Sequence, residues 1–334
     1  MANTNSNLHC AKKEKNDEFY TTYETVEKEL SHYKEQFQGK IVLCNCDDPY
    51  NSNFCNYFLD NFDIFGLKRL ICTSYCNSHK NTIPTLFDND VKKRDTSRGL
   101  LLDVSSVEGR SRQDILSQVR ELKGDGDFRS KECLAYLKIC DIVVTNPPFS
   151  LFKEFIVEVL KHNKRFLAIG NQNALTYKEI FPLIQNNEVW TGYQFGEMKF
   201  RVPNDTEPRA TRYWVDESGQ KWRSLGNAMW LTNMDNDLRH QSLRLTEKFD
   251  PNLHRKYDNY DAIHIRNITE IPSDYRGIMA VPITIINRYN SEQFEIVGEA
   301  NHGSDSKYDI FKPILNGKEI YKRILIRNRV IASI

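Results

Sequence analysis

The sequence predicts an α/β fold built on a parallel sheet of the nucleotide- or cofactor-binding kind. Three observations carry this: short apolar runs that read as buried strands, helical periodicities between them, and Gly or Pro at the joints. The runs are Lys40 to Cys44, Lys68 to Thr73, Leu100 to Val104, Asp141 to Thr145 and Arg165 to Gly170.

Taken in order, residues 1–16 are polar and read as a flexible N-terminus. Between Asp17 and Gln38 the residues Tyr23, Val26, Leu30, Tyr33 and Phe37 recur at three- and four-residue steps, which predicts a mainly helical segment. Gly39 ends it and the first strand follows. A second helical pattern runs from Asn53 to Phe65 and stops at Gly66. After the strand at Lys68 the chain carries a less regular insertion at 77–99. Cys133 to Lys138 reads as the end of a helix, and Leu151 to Leu160 as another. Pro147 and Pro148 must end the strand before them, because neither offers a ladder N–H. A cofactor-binding domain is therefore expected at 17–190.

Beyond Trp190 the character changes. Residues 191–280 hold Trp- and Tyr-rich patches and many Asn and Arg, with few long apolar periods. They read either as a smaller β-rich subdomain or as a set of long loops. Gly277 to Ile286 and Ile324 to Ile326 look like strands, and 281–334 is expected to return to the main sheet.

A hydrophobic content of 40% and a charged content of 27% over 334 residues suit a soluble globular protein. The first forty residues contain no apolar block of the signal-peptide type, and no stretch reaches the length of a membrane span. A cytoplasmic location is expected. The net charge of +1 does not announce a nucleic-acid binder, although binding grooves depend on where charge is placed and not on its total. Cys44, Cys46, Cys55, Cys72, Cys76, Cys133 and Cys140 form no paired C-x-x-C units, so they are expected to be free, mostly buried thiols; no metal is implied.

The candidate chemical centre is Asn146-Pro147-Pro148-Phe149, at the carboxyl end of a buried strand, where open α/β sheets present their sites. The Asn146 side-chain oxygen and a carbonyl of the Pro-Pro turn are two fixed acceptors for an amino group. Such a pair favours a more tetrahedral nitrogen and stabilises positive charge that develops on it. An aromatic amine needs this help, since its lone pair is delocalised into the ring. Phe149 offers a flat face on which a planar base can stack. The bland alternative is a stiff strand exit with Phe149 packed in the core; the position behind a cofactor sheet favours the chemical reading.

A methyl donor would have to be held nearby. Cys44-Asn45-Cys46-Asp47-Asp48-Pro49 follows the first strand without the Gly-rich phosphate loop of nicotinamide and flavin sites. S-adenosylmethionine has no phosphate to cradle, so it fits that absence. Asp47 or Asp48 either receives the donor's ammonium or ribose, or caps the next helix. In Gly124-Asp125-Gly126-Asp127-Phe128-Arg129, Asp127 either bonds an adenine amino group while Phe128 covers the ring, or marks a plain turn.

The sequence resembles the EcoRI-type adenine-specific DNA methyltransferases. The likeness lies in Asp17 to Thr21, Cys44 to Pro49, Ser52-Asn53-Phe54, Gly124 to Ser130, Asp141 to Phe152, Thr176 to Glu179, Trp230 to Asn233, Tyr257 to Ile263 and Val281 to Thr284. It covers almost the whole chain. It implies a Rossmann-like S-adenosylmethionine-dependent methyltransferase sheet with an added DNA-recognition region. By the same resemblance Asn146, Pro147, Pro148 and Phe149 are the catalytic motif of amino methyltransferases. Tyr20 is the contact to the donor's methionine part, Cys46, Asp47 and Asp48 form the first cofactor loop, and Asp127 and Phe128 form the adenine-side loop. The substrate implied is double-stranded DNA with a short specific site, its target adenine flipped out for N6-methylation. The setting implied is a restriction-modification or orphan system, in the former with an endonuclease that shares the site.

The founding enzyme's site, GAATTC, is not carried over automatically, because Gly192 to Arg223, a plausible recognition region, is the least family-like segment. Lys199, Arg201, Arg209, Arg212 and Arg223 are the candidate DNA contacts there, in a cleft expected between the α/β domain and the 190–280 region. Two rivals remain at this stage: an amino methyltransferase of RNA or of a protein amide, and a silent DNA-binding protein that keeps the fold.

Overall fold

The computed structural model describes residues 19–76, 97–204, 206–302 and 307–329. The expected flexible start at 1–16 and nearly all of the 77–99 insertion lie outside these residues. The chain divides into two compact units. Unit 1 comprises Met1–Gln172 and Tyr193–Met234, and unit 2 comprises Asn173–Gly192 and Asp235–Ile334.

The strands of the main sheet, which lie in unit 1 apart from the first three residues of β8, are β1 (Tyr20–Thr21), β2 (Ile41–Cys44), β3 (Arg69–Ser74), β4 (Leu100–Val104), β5 (Arg120–Glu121), β6 (Ile142–Thr145), β7 (Arg165–Asn171), β8 (Trp190–Arg201), β9 (Tyr213–Val215) and β10 (Lys221–Thr232). They form one sheet in the order β1-β8-β10-β7-β6-β2-β3-β4-β5, with β9 paired to β10. Its centre, β7-β6-β2-β3, is parallel, and these strands are buried along nearly their whole length. Double burial explains why they read as continuous apolar runs and not as alternations.

Helices fill the connections. Tyr23–Leu30 is capped by Thr22, whose hydroxyl accepts from Thr25 N at 3.2 Å. Asn53–Asp60 is capped by Ser52, Lys131–Ile139 by Ser130, and Phe152–Lys161 follows the Pro-Pro turn. The expected helix from Asp17 becomes β1, then Tyr23–Leu30, a 3-10 turn and Lys34–Phe37, with Val26, Leu30, Tyr33 and Phe37 in the core as the periodicity requires.

One expectation about organisation is corrected and another is refined. The segment after Trp190 contributes two twelve-residue strands, β8 and β10, to the main sheet, where β10 pairs antiparallel with β7 from Ala228↔Asn171 to Thr232↔Leu167. The unit boundaries lie at Gln172/Asn173, Gly192/Tyr193 and Met234/Asp235. The C-terminal strands do not return to the main sheet. In unit 2, β11 (Ala262–His264), β12 (Ile278–Val281), β13 (Phe294–Ala300), β14 (Asp309–Phe311) and β17 (Arg323–Asn328) form their own sheet, ordered β11-β12-β17-β13-β14. A small hairpin joins β15 (Ile314–Leu315) to β16 (Lys318–Glu319). The second sheet encloses a core that includes Tyr257, Ala262, Ala280, Ala300 and Leu325, so its apolar residues have a partner face without the first sheet. Only Ile278–Val281 of the apolar run 277–286 is strand; Pro282 ends it and Ile283–Arg288 continues as a 3-10 helix.

Candidate active site

From β2 the chain crosses to β3 on one side, while β6 and β7 lie on the other. The carboxyl ends of β2 and β6 therefore flank the topological switch point, the place where open α/β sheets leave a crevice for a ligand. Asp47 follows β2 and Asn146 follows β6. A cavity of about 320 Å³ opens there, lined from the β1, β2–helix, 126–129 and 146–151 segments.

Asp47 ties the two strand ends together. Its Oδ1 accepts from Ser52 Oγ and its Oδ2 from Thr145 Oγ1, each at 2.6 Å. Burial pushes its carboxyl up to about 7, against the two hydroxyl donors, and the neighbouring Asp48 carboxylate adds to the rise. Asp48 closes the following turn, with Oδ1 accepting from Tyr50 N at 2.9 Å and Oδ2 from Asn51 Nδ2 at 3.1 Å.

Asn146 is held from the amino-terminal side of the chain. Its Nδ2 donates to Phe19 O at 2.6 Å and to Thr21 Oγ1 at 3.2 Å. A carbonyl only accepts, so the amide nitrogen must face Phe19 and the amide oxygen must face away. That oxygen is buried and has no hydrogen-bond partner. Pro148 O is taken by Leu151 N at 2.9 Å, and no bond from the described residues reaches Pro147 O. The turn thus keeps two acceptors unspent, Asn146 Oδ1 and Pro147 O. A third, Asn45 Oδ1, is likewise buried and unpartnered in the cavity wall. Leaving such groups unmade costs about 1–3 kcal/mol each unless water or a ligand meets them.

The loop between Gly124 and Arg129 leans on the end of β3. A Cβ at Gly126 would meet Ser74 O at 2.1 Å, and its φ of +82° is a left-handed conformation, so only glycine permits this approach. Asp127 is engaged by Arg129, with Nη2 to Oδ2 at 2.5 Å and Nε to Oδ1 at 2.9 Å, which holds its carboxyl below the usual range.

A profile of the adenine-specific EcoRI methyltransferases matches residues 7–329. The chain belongs to this family. It is 44% identical to the Type II methyltransferase M.EcoRI of Escherichia coli over 98% of its length and 97% of the relative's. It is 35% identical to M.MpnI of Mycoplasma pneumoniae over 86% and 83% of the two chains, and 35% identical to M.MgeORF184P of Mycoplasma genitalium over 96% and 98%. No solved structure matches significantly. As a member of the adenine-specific methyltransferases the chain is an enzyme of DNA modification, and it requires a methyl donor.

Most of the sequence-predicted site converges in this EcoRI-type enzyme. Tyr20, Cys46, Asp47, Asp48, Asp127, Phe128, Asn146, Pro147 and Pro148 all line the one cavity. Phe149 does not; its ring stacks on Phe19 at 5.3 Å and meets Phe200 edge-on at 6.3 Å. Both oxygens of Asp47 and both of Asp127 are occupied by protein groups, so these acids shape the site in the present geometry instead of offering open carboxylates. The helix cap is Ser52, not either acid. Sequence reasoning missed Asn45, Thr21, Ser52, Asn53, Tyr75 and Arg129 of the lining. Signals were present: Thr21, Ser52, Asn53 and Arg129 lie in the family-like stretches, Tyr75 ends the Thr73-Ser74-Tyr75 strand exit where a hydroxyl can meet a ribose, and Asn45 is a polar residue directly after a buried strand. The described cysteines are free, six of the seven buried and Cys46 partly exposed. No helix among the described residues is long and apolar enough to cross a membrane.

Proposed function

We propose that the chain uses S-adenosylmethionine to methylate N6 of an adenine flipped out of a short specific site in duplex DNA. The observation that carries this reading is the partnerless, buried Asn146 Oδ1, fixed in orientation by Phe19 O beside a cofactor-sized cavity at the switch point. The cavity falls within the roughly 300–1,000 Å³ of small-molecule sites. Its donor set suits S-adenosylmethionine: unpaired amide oxygen at Asn45 for an ammonium, aromatic Tyr20 and Phe128, and no phosphate cradle. When bound, that cofactor supplies an electrophilic sulfonium methyl.

The residues of the chain do the rest. Asn146 Oδ1 and Pro147 O accept the two amino hydrogens, which draws the lone pair out of the ring and stabilises charge developing on nitrogen. The proton leaves after the nitrogen has become cationic, so no strong general base is required of the site. A base inside a stacked duplex does not reach such a recess, hence the flip. Phe149 serves as the stacking face once the base displaces it from Phe19. Lys199, Arg201, Arg209, Arg212 and Arg223 are the proposed DNA contacts, phosphates first. A restriction endonuclease of the same site is the proposed functional partner; it need not bind this chain.

The test is tritium transfer from labelled donor to matched DNA, RNA and protein. Label is expected in DNA alone, as N6-methyladenine at one motif. Asn146→Ala should lower turnover by about 2–4 kcal/mol, roughly 30- to 900-fold, with donor binding nearly intact. Full turnover by that variant overturns the assignment.

A further inference from the structure

We infer that Arg223 is a built-in receptor for one backbone phosphate of the strand that carries the target adenine. The inference rests on the DNA-methylating reading above. It begins with register. β10 pairs with β7 only from Ala228 to Thr232, and β7 ends at Asn171, on the same sheet edge as Asp47 and Asn146. Because β10 runs antiparallel, Lys221 to Asn227 continue past that edge. Arg223 stands five residues beyond Ala228, about 16 Å along the strand. Gly226 shares this overhang, and the guanidinium of Arg212 lies where its Cβ would be, 2.0–2.5 Å away.

Arg223 differs from a solvated surface arginine. It is 8% exposed, and its Nε is buried with no hydrogen-bond partner. Its guanidinium carbon sits 5.1 Å from the ring centroid of Phe19, the residue whose ring stacks on Phe149 and whose carbonyl holds Asn146. Among the described residues no acid forms an ion pair with it. Burial depresses its basicity, and the charge that acts on it, Arg209, is another cation that lowers it further.

A guanidinium mostly withdrawn from water without a counter-charge is costly, and its Nη groups, which are not buried with Nε, present donors to an anion's oxygens. Two anions belong to the reaction, a phosphodiester of DNA and the carboxylate of the methyl donor. The donor's cavity is lined by Phe19 but not by Arg223. The phosphodiester is therefore the fitting occupant, and Phe19 is the element through which phosphate capture and the orientation of Asn146 touch.

The experiment uses the full chain and a duplex bearing the site found by sequencing N6-methyladenine in cells that express it. Affinity for wild type, Arg223→Gln and Arg223→Lys is followed from 50 to 200 mM salt, with donor affinity measured by calorimetry. Loss of one phosphate contact should reduce the salt slope of Arg223→Gln by about 0.9, so that wild type loses roughly 3.5-fold more affinity over that range. Arg223→Lys should restore the slope, and donor affinity should stay level. A neutral methylphosphonate beside the target adenine should erase the difference between wild type and Arg223→Gln. An unchanged slope, or a fall in donor affinity in its place, overturns the inference. If the Gln variant does not fold, the methylphosphonate scan of wild type decides: no single neutralised phosphate that lowers the slope means no receptor. A wild type that neither binds nor methylates any duplex refutes the underlying DNA reading, which is a different outcome.

Discussion

Asp47 makes a sharp prediction because its charge and its hydrogen bonds pull in opposite directions. Its carboxyl is buried and pushed from 3.8 to about 7, chiefly by desolvation. A raised acid is protonated in the folded state at pH values where it is ionised in the unfolded chain. Its contribution to stability is thus complete below about pH 4 and is lost as pH climbs through 7. The full shift of about three pKa steps corresponds to a ceiling of ~4 kcal/mol, and relaxation around the charge brings the expected swing to at least ~1. Asp47→Asn removes the ionisation and, like the protonated acid, offers one carbonyl acceptor and one donor to Ser52 and Thr145. The variant should therefore lie close to wild type at pH 4.5 and should gain on it steadily toward pH 8. Urea unfolding in matched buffers measures this, and comparing the two proteins cancels every other titrating group. A stability difference that does not change between pH 4.5 and 8 refutes the reasoning, since Asp47 would then be ionised at its ordinary pKa or reached by solvent.

Two further changes probe the frame of the cavity. Gly126→Ala must place a methyl 2.1 Å from Ser74 O at a left-handed φ, so the 124–129 loop has to lift from β3. The left-handed backbone alone costs about 1–2 kcal/mol, and donor affinity by calorimetry should fall along with urea stability; unchanged donor affinity would remove that loop from the site. Asn53→Ala deletes the 2.8 Å bond from Nδ2 to Thr21 O, for about 1 kcal/mol of stability. Because β1 carries Tyr20 and Thr21, which also bonds Asn146, the donor KM should rise and kcat should fall with it, and kinetics unchanged in both would contradict this.

How much of this was legible in the sequence depends on how local each cause is. β2, β3, β4, β6 and β7 announced themselves because strands buried on both faces need unbroken apolar runs. Asn146 stood out because Pro147 and Pro148 can only follow a strand that ends. β8 and β10 did not stand out. Their residues mix exposed polar and buried apolar positions, Gly192, Gly196 and Gly226 interrupt them, and what makes them strands is pairing with distant partners. The same non-locality hid the role of Asp47. Ser52 is five residues away, but Thr145 is 98 residues away, and only the parallel pairing of β2 with β6 brings it within 2.6 Å. Phe149 was readable as an aromatic of the motif, yet nothing nearby in sequence pointed to Phe19 and Phe200 as its neighbours. The second sheet was misplaced because an apolar strand does not specify which sheet it joins.

The position of β1 shows why a two-residue strand matters to methyl transfer. By itself it has no means of staying ordered. It is held by pairing with β8, Tyr20↔Arg201 and Thr21↔Phe200, and by the side-chain amides of Asn53 and Asn146. The bond to Asn146 is reciprocal in effect. Phe19 O fixes which end of the amide faces the cavity, and without it the group could rotate and present donors to an amine that needs acceptors. Phe200 of β8 also meets the ring of Phe19 edge-on at 5.5 Å. The orientation of the amide that carries the proposed chemistry is therefore set by the outermost strand pair of the sheet, and β8 lies beside β10, which bears Arg223. A disturbance of the overhang by DNA would reach Asn146 through Phe19 and β1, without passing through the parallel centre of the sheet.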